Sequence, residues 1–190
     1  MDRNNLYPIF LKTEQLNILV VGGGFVALEK LTFLLKSSPN ANVEMIAPFY
    51  RPETLAFIAD KKITLFKGLY DKKYLTDKHI VIATTDDEAV NEKVYYDCRA
   101  KNILVNVADN PPFCDFYMGG IVTKGHVKIA ISTNGKSPTT AKRLRQFFEA
   151  VIPSDINELV QNLHRFRKTI KGDFEEKVKT LNKITASMVE

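Results

Sequence analysis

The sequence has two cysteines, no tryptophan and no long run of apolar residues. Cys98 and Cys114 alone cannot build a disulfide scaffold or a metal site with four cysteine ligands. No apolar run approaches the ~20 residues that a membrane-spanning helix needs. The N-terminus, MDRNNLYPIFLK, lacks the basic, apolar and small-residue order of a secretion signal. We therefore expect a soluble cytoplasmic protein without a membrane partner.

Acidic residues are missing from one stretch, residues 116–148, which contains six lysines and arginines. We call this stretch the basic segment. The rest of the chain has 21 basic and 22 acidic residues, so the excess positive charge lies in this segment. Such a cluster attracts an anionic partner or simply keeps a surface solvated, and composition leaves both alternatives open. We expect no nucleic-acid partner, because no aromatic residue is interleaved with the six charges for base stacking.

The first half of the chain alternates apolar runs with helical patterns. Strands are predicted over 17–21, 42–47, 63–67, 79–84 and 103–107. Helices are predicted after the first strand and over 52–60 and 87–100, with Thr85 or Asp86 as the cap of the last. Strands separated by single helices are typical of parallel pairing, which predicts a Rossmann-like α/β sheet.

The pattern changes after Asn110-Pro111-Pro112. Two strands, 120–123 and 127–132, are predicted as a hairpin, and a helix over 139–151 follows Ser137-Pro138. The helical C-terminal tail is predicted as two helices broken near Gly172. We predict a nucleotide-binding domain over 1–112, a dimerisation and substrate-binding segment over 113–150, and a helical domain over 151–190.

A glycine turn, Gly22-x-Gly24-x-x-Ala27, lies between the first strand and the first helix. Glycines there allow a tight turn and a close approach of the backbone to a pyrophosphate at the helix N-terminus. This placement predicts a dinucleotide site, and a purely structural turn is the alternative. Thr84 and Thr85 end the fourth strand and are expected to face the cofactor.

The usual acidic partner of the adenosine ribose is missing at the end of the second strand. That end reads Ala47-Pro48-Phe49, and Glu44 lies in mid-strand. Arg51 is close enough in sequence to meet a 2′-phosphate, or it is a surface charge. The choice between NAD and NADP therefore stays open.

Five motifs in order resemble the siroheme-synthase N-terminal module. They are Tyr7–Leu11 (YPIFL), Val20–Ala27 (VVGGGFVA) with Lys30, Ala83–Asn91 (ATTDDEAVN), Val105–Asp109 (VNVAD), and Ile129–Pro138 (IAISTNGKSP) leading into Ala141, Leu144 and Arg145. The resemblance implies NAD-dependent oxidation of precorrin-2 to sirohydrochlorin. Some family members also act as ferrochelatases, for which Fe²⁺ is a substrate. A homodimer built on the segment after the nucleotide-binding domain is implied too.

The resemblance also implies roles for particular residues. Asp109 occupies the position of the family's catalytic aspartate, although from the residues alone a turn before Asn110-Pro111 is an alternative. The expected cofactor-binding residues are Gly22, Gly23, Gly24, Phe25, Val26, Ala47, Pro48, Thr84 and Thr85. The expected contacts with the tetrapyrrole lie in the basic segment: Lys124, Ser132, Thr133, Lys136 and Ser137.

Other candidates are left open or given structural roles. His79, His126 and His164 have no metal-ligand spacing, so we expect no resident metal. Cys98 is expected to be a buried small residue. Cys114 and His126 could approach an incoming metal or be structural. A non-catalytic module that senses a dinucleotide is the alternative function.

Overall fold

The computed structural model describes residues 3–186 and contains two sheets and six α-helices in that range. The strands are β1 (Asn17–Val21), β2 (Asn42–Ala47), β3 (Ile63–Lys67), β4 (Ile80–Ala83), β5 (Leu104–Val107), β6 (Gly120–Lys124) and β7 (Val127–Ile131). The helices are α1 (Phe25–Ser37), α2 (Pro52–Ile58), α3 (Glu88–Ala100), α4 (Pro138–Val151), α5 (Ile156–Thr169) and α6 (Phe174–Thr185). None of these helices is long and apolar enough to cross a lipid bilayer.

The larger sheet is parallel throughout and has the strand order β3-β2-β1-β4-β5. Every step to the next parallel strand requires a crossover, and the order reverses between β1 and β4. Ligands of open α/β sheets bind outside the carboxyl ends of the strands at such a reversal. The Rossmann-like fold predicted from the sequence is confirmed, and β1 and β4 end side by side at Val21 and Ala83, where this rule places a ligand.

The core lies on both faces of this sheet. Successive β1 residues alternate between two buried clusters, with Ile18 and Val20 on the face of α1 and Leu19 and Val21 on the face of α3. Burial on both faces explains why β1 and β4 are continuous apolar runs in the sequence. Cys98 belongs to the α3 cluster and is fully buried, as expected, and burial raises the pKa of its thiol to about 12.

The chain divides into two compact units. The first contains residues 3–119 and the loop 132–138, and the second contains residues 120–131 and 139–186. The functional division at 112 and 150 stays a prediction.

The second unit pairs β6 with β7 as an antiparallel hairpin and contains most of α4 with α5 and α6. The predicted break in the tail lies at Gly172, whose φ of +112° favours glycine. Asp173 then begins α6 with a capping box, in which its carboxylate accepts from the Glu176 backbone N–H. As far as residue 186, the helical tail therefore contains two helices, as predicted.

The start of α3 differs from the prediction. The helix begins at Glu88, and its cap is neither Thr85 nor Asp86 but Asp87, whose carboxylate accepts from the backbone N–H groups of Ala89 and Val90 at 2.9 and 3.2 Å. Thr85 instead hydrogen-bonds within the loop that precedes the helix. The other helices and strands agree with the predicted bounds to within two residues.

Replacing the cap should destabilise the protein, whereas replacing its neighbour should not. Asp87→Ala removes the acceptor for two N–H groups of the first helical turn, so the free energy of unfolding should fall by about 1 kcal/mol. Asp86→Ala is the matched control, because Asp86 is exposed and does not cap α3. It should change stability by less than about 0.5 kcal/mol in urea unfolding. Equal losses in both variants would contradict this assignment.

Candidate functional site

The glycine turn after β1 is shaped by two close approaches of the backbone. Gly22 has a φ of +124°, and its N–H donates to the carbonyl of Ile46 at 2.9 Å. A β-carbon at position 22 would lie 2.5 Å from Thr84 Oγ1. At position 23 a β-carbon would collide with the carbonyl oxygen of Phe49 and lie 2.7 Å from the Tyr50 ring. Only glycine fits at either position, because neighbouring chain segments fill the space.

Gly24 has the opposite environment, because no atom lies within 4 Å of where its β-carbon would be. It is the N-cap of α1, and no side chain caps the helix or places an acid in its first turn. The first backbone N–H groups of a helix have no partner within the helix and carry partial positive charge. Open space beside Gly24 at this helix N-terminus leaves room for a pyrophosphate, so Gly24, Phe25 and Val26 could hold a dinucleotide.

Tyr50 supports the segment where the adenosine half would lie. Its phenol oxygen is 3.0 Å from the Met45 carbonyl and 2.7 Å from the Phe66 carbonyl. Burial raises the pKa of this phenol to about 12, so it stays protonated and can donate. The residues that precede it include Ala47, which is buried, and Phe49, which is 66% exposed. Tyr50 therefore anchors the β2–α2 loop against the sheet.

Glu44 and Arg51, the two charged residues that bear on the choice of cofactor, each have an ion-pair partner. Glu44 forms an ion pair with Lys78 at 3.1 Å, so it is not directed to the end of β2. Arg51 forms an ion pair with Glu53 at 3.2 Å, which lowers the pKa of that carboxyl. Arg51 is thus a paired surface charge here, and the preference for NAD or NADP stays open.

A cleft of about 200 Å³ opens beside the N-terminus of α1. It brings together three of the predicted site residues: Val26, Thr85 and Asp109. The other lining residues are Asp86, Glu88, Asn91, Val107, Ala108 and Asn110. The sites predicted from the glycine turn, from the end of β4 and from the end of β5 therefore meet in one place.

Asn91 was missed by the sequence reasoning, although it ends the ATTDDEAVN motif. Its side-chain oxygen accepts from the backbone N–H and the hydroxyl of Thr85, at 3.2 and 2.8 Å, and its amide donates to the Thr85 carbonyl at 2.9 Å. Asn91 is 8% exposed. It clamps both backbone groups of Thr85 and so fixes one wall of the cleft.

Asp109 lies in the turn that follows β5, with a φ of +58°. Asn110 N–H donates to the Val107 carbonyl at 3.3 Å and closes this turn. Aspartate and asparagine tolerate such a left-handed conformation better than most residues. Asp109 is therefore a turn residue and a wall of the cleft at the same time, so the two alternatives from the sequence are compatible.

The Cys114 thiol stabilises the same turn by contacts with two of its carbonyl groups. Its sulfur lies 3.2 Å from the Val107 carbonyl and 3.3 Å from the Asn110 carbonyl, on either side of Asp109 in sequence. Burial raises the pKa of this thiol, so it is kept as a neutral donor. Within residues 3–186, no group of three or more His, Cys, Asp or Glu side chains could hold a metal ion.

Thr84 has a structural hydroxyl. It is 4% exposed and donates to the Val21 carbonyl at 2.9 Å, which ties β4 to β1. Its cofactor contact stays a prediction, as do those of Ala47 and Pro48.

The loop 132–138 connects β7 to α4 and is internally bonded. The Thr133 hydroxyl donates to the Ser137 carbonyl at 3.1 Å, and the Ser132 hydroxyl accepts from Asn134 N–H at 3.1 Å. Asn134 and Gly135 both have positive φ. Lys136 belongs to this loop, and its contact with a substrate stays a prediction along with those of Ser132, Thr133 and Ser137.

The basic segment is not free of acidic neighbours in the folded chain. Arg145 forms an ion pair with Glu149, one helical turn further along α4. The Lys124 ammonium donates to the Ile152 carbonyl. Among the predicted substrate contacts, Lys124 belongs to the second compact unit and the other four to the first.

Two family models match the chain. A model described as NAD(P)-binding matches residues 9–120, and the central domain of sirohaem biosynthesis proteins matches residues 124–150. The first match covers the whole parallel sheet and the cleft.

Curated relatives at about 40% identity are siroheme synthases. The protein of Psychrobacter sp. strain PRwf-1 is 40% identical over 176 residues, which are 93% of this chain and 34% of the relative. That of Nitrosococcus oceani is 42% identical over 165 residues, which are 86% of this chain and 35% of the relative. The chain thus spans about a third of the length of these relatives.

A solved structure with the same fold is that of SirC, a precorrin-2 dehydrogenase. It has a TM-score of 0.73 and 22% sequence identity, over 94% of this chain and 89% of that one. The likeness confirms the fold. Since the NAD(P)-binding model covers more than half of the chain, the chain belongs to that family, and its resemblance to the siroheme-synthase N-terminal module is confirmed.

Proposed function

We propose that this protein is a precorrin-2 dehydrogenase that oxidises precorrin-2 to sirohydrochlorin with NAD. The observation that carries the proposal is that one cleft is lined both by Val26, in the first turn of α1, and by Asp109; no side chain caps that end of α1. A site that binds a dinucleotide and presents a carboxylate beside it suits a hydride transfer coupled to a proton transfer.

The chain's own residues bind the anion and move the proton. The N–H groups of Gly24, Phe25 and Val26 would bind the pyrophosphate, and Thr85, held by Asn91, would border the cofactor. Bound NAD supplies a hydride acceptor. The Asp109 carboxylate accepts the proton that leaves precorrin-2 during the oxidation. The substrate thus loses a hydride and a proton, which together carry away two electrons, and its net charge is unchanged.

The tetrapyrrole is a polycarboxylate, and the basic segment suits such a substrate. We propose that Lys124, Ser132, Thr133, Lys136 and Ser137 contact it. We also propose a homodimer formed through the second unit, because that unit exposes large apolar side chains on α4 and α5. Phe147 is 56% exposed and Phe166 43% exposed.

We propose chelation of Fe²⁺ by sirohydrochlorin as a further activity of the same cleft. Two pyrrole nitrogens each lose a proton when Fe²⁺ enters, and the carboxylate that accepts a proton during oxidation would accept these one at a time and pass each to water. Asp109 would then serve both reactions.

Substitutions of Gly24 and Gly22 should have different effects: the first should weaken NAD binding, and the second should lower the stability of the fold. Threonine is as good an N-cap as glycine, and position 24 has open space, so Gly24→Thr should keep the thermal stability. It would fill the anion site and satisfy its donors, so the affinity for NAD should fall at least about tenfold. Gly22→Ala should instead lower the free energy of unfolding by about 1–3 kcal/mol, because its φ and Thr84 exclude a side chain.

Calorimetric titration with NAD and thermal unfolding measure both effects. Unchanged NAD affinity in folded Gly24→Thr would contradict the placement of the pyrophosphate at this turn.

Asp109→Asn should remove turnover without disturbing the fold. Asparagine also tolerates the left-handed conformation, so stability and NAD affinity should be unchanged. The rate of NADH formation from precorrin-2 should fall about 100-fold or more, as expected for loss of a general base. Iron insertion into sirohydrochlorin should fall as well if the carboxylate serves both reactions.

The matched control is Asp77→Asn. Asp77 is another exposed aspartate with positive φ, at 56°. It precedes β4 and so lies at the amino ends of the strands, whereas Asp109 follows the carboxyl end of β5. That variant should keep the wild-type rate. A wild-type rate in Asp109→Asn would overturn the role of Asp109, and NAD binding by the wild-type protein without turnover of precorrin-2 would favour the sensing module.

A further inference from the structure

Thr54 is a buried polar residue on α2 that neither the glycine motif nor the cleft residues include. It is fully buried, and its hydroxyl lies 3.2 Å from the Gly23 carbonyl oxygen and 3.4 Å from the Gly24 carbonyl oxygen. A buried hydroxyl without a hydrogen-bond partner is costly, so the Thr54 side chain is held in place by these two carbonyl acceptors. The contact joins the helix after β2 to the turn after β1.

The Gly23 carbonyl receives a second bond from the same side. Arg51 N–H, at the start of α2, donates to it at 3.0 Å. In a planar trans peptide the carbonyl and the following N–H point in opposite directions. The two donors from the α2 side therefore direct the Gly24 N–H away from α2.

The next peptide is held in the same manner. The Gly24 carbonyl accepts from Leu28 N–H at 3.2 Å, which is the first bond of α1, and Thr54 also approaches it. Its orientation along the helix directs the Phe25 N–H outward from the helix N-terminus. Both N–H groups belong to the peptides whose carbonyls Thr54 contacts.

We propose that Thr54 is a positioning residue that orients the Gly24 and Phe25 amides for the pyrophosphate of a dinucleotide. This inference rests on the proposed function, since it deepens the same anion site. Thr54 does not touch the ligand; it acts through the glycine turn, and its hydroxyl rather than its methyl group performs the role. Donors that are already oriented lose less conformational freedom when the ligand binds. Removing the Thr54 hydroxyl should therefore weaken the affinity for the dinucleotide and leave the rate of the chemical step unchanged.

The test compares substitutions that separate the hydroxyl from the packing. Thr54→Val removes the hydroxyl at nearly constant shape, and Thr54→Ser keeps the hydroxyl and removes the methyl group. The Kd for NADH, measured by fluorescence titration at a temperature at which every variant is folded, should rise about fivefold in Thr54→Val. Thr54→Ser should stay within about twofold of the wild-type value. In turnover, Thr54→Val should raise the KM for NAD and leave kcat nearly unchanged.

Thr54→Ala provides a second variant without the hydroxyl if Thr54→Val does not fold. A wild-type Kd in either hydroxyl-free variant would overturn the positioning role while leaving the proposed dinucleotide site intact. Equal weakening in Thr54→Ser and Thr54→Val would also overturn it, because the methyl packing would then be responsible. Absence of NADH binding by the wild-type protein would overturn the proposed function itself and this inference with it.

Discussion

The contact between Gly22 and Thr84 is the constraint on which the rest of the site depends. The two residues follow β1 and β4, and a β-carbon on Gly22 would overlap the Thr84 hydroxyl. That hydroxyl donates to the Val21 carbonyl, so the ends of the two strands are tied where the strand order reverses. Because the turn passes so close to β4, α1 begins directly beside the loops that carry Thr85 and Asp109.

Side chains that do not face the ligand site hold the loops around the crevice by hydrogen bonds to their backbones. Thr54 and Tyr50 hold the glycine turn and the β2–α2 loop, Asn91 holds Thr85, and the Cys114 thiol holds the Asp109 turn. These groups are buried or half-buried, and their donors are used within the protein. The backbone donors at the start of α1 are left for a ligand, which is the arrangement that a preorganised anion site requires.

The fold was predictable because its signals are local. Continuous apolar strands, a glycine turn and helical periodicity identified the parallel sheet, and the hairpin and the tail were found from turn residues. The cap of α3 was missed because Thr85, Asp86 and Asp87 are all good N-caps, and only the position of the first helical turn selects among them. Thr54 gives no local signal either, since its importance comes from a contact with a turn about thirty residues earlier in the chain.

The central claim is that the backbone N–H groups at the start of α1 bind the dinucleotide. Amide NMR spectra of the isotopically labelled protein, recorded during addition of NAD, test it most directly. We expect the largest shift changes at Gly24, Phe25 and Val26, with smaller changes at Thr85. Saturable binding with no change at residues 24–26, and changes confined to the second unit, would contradict the account.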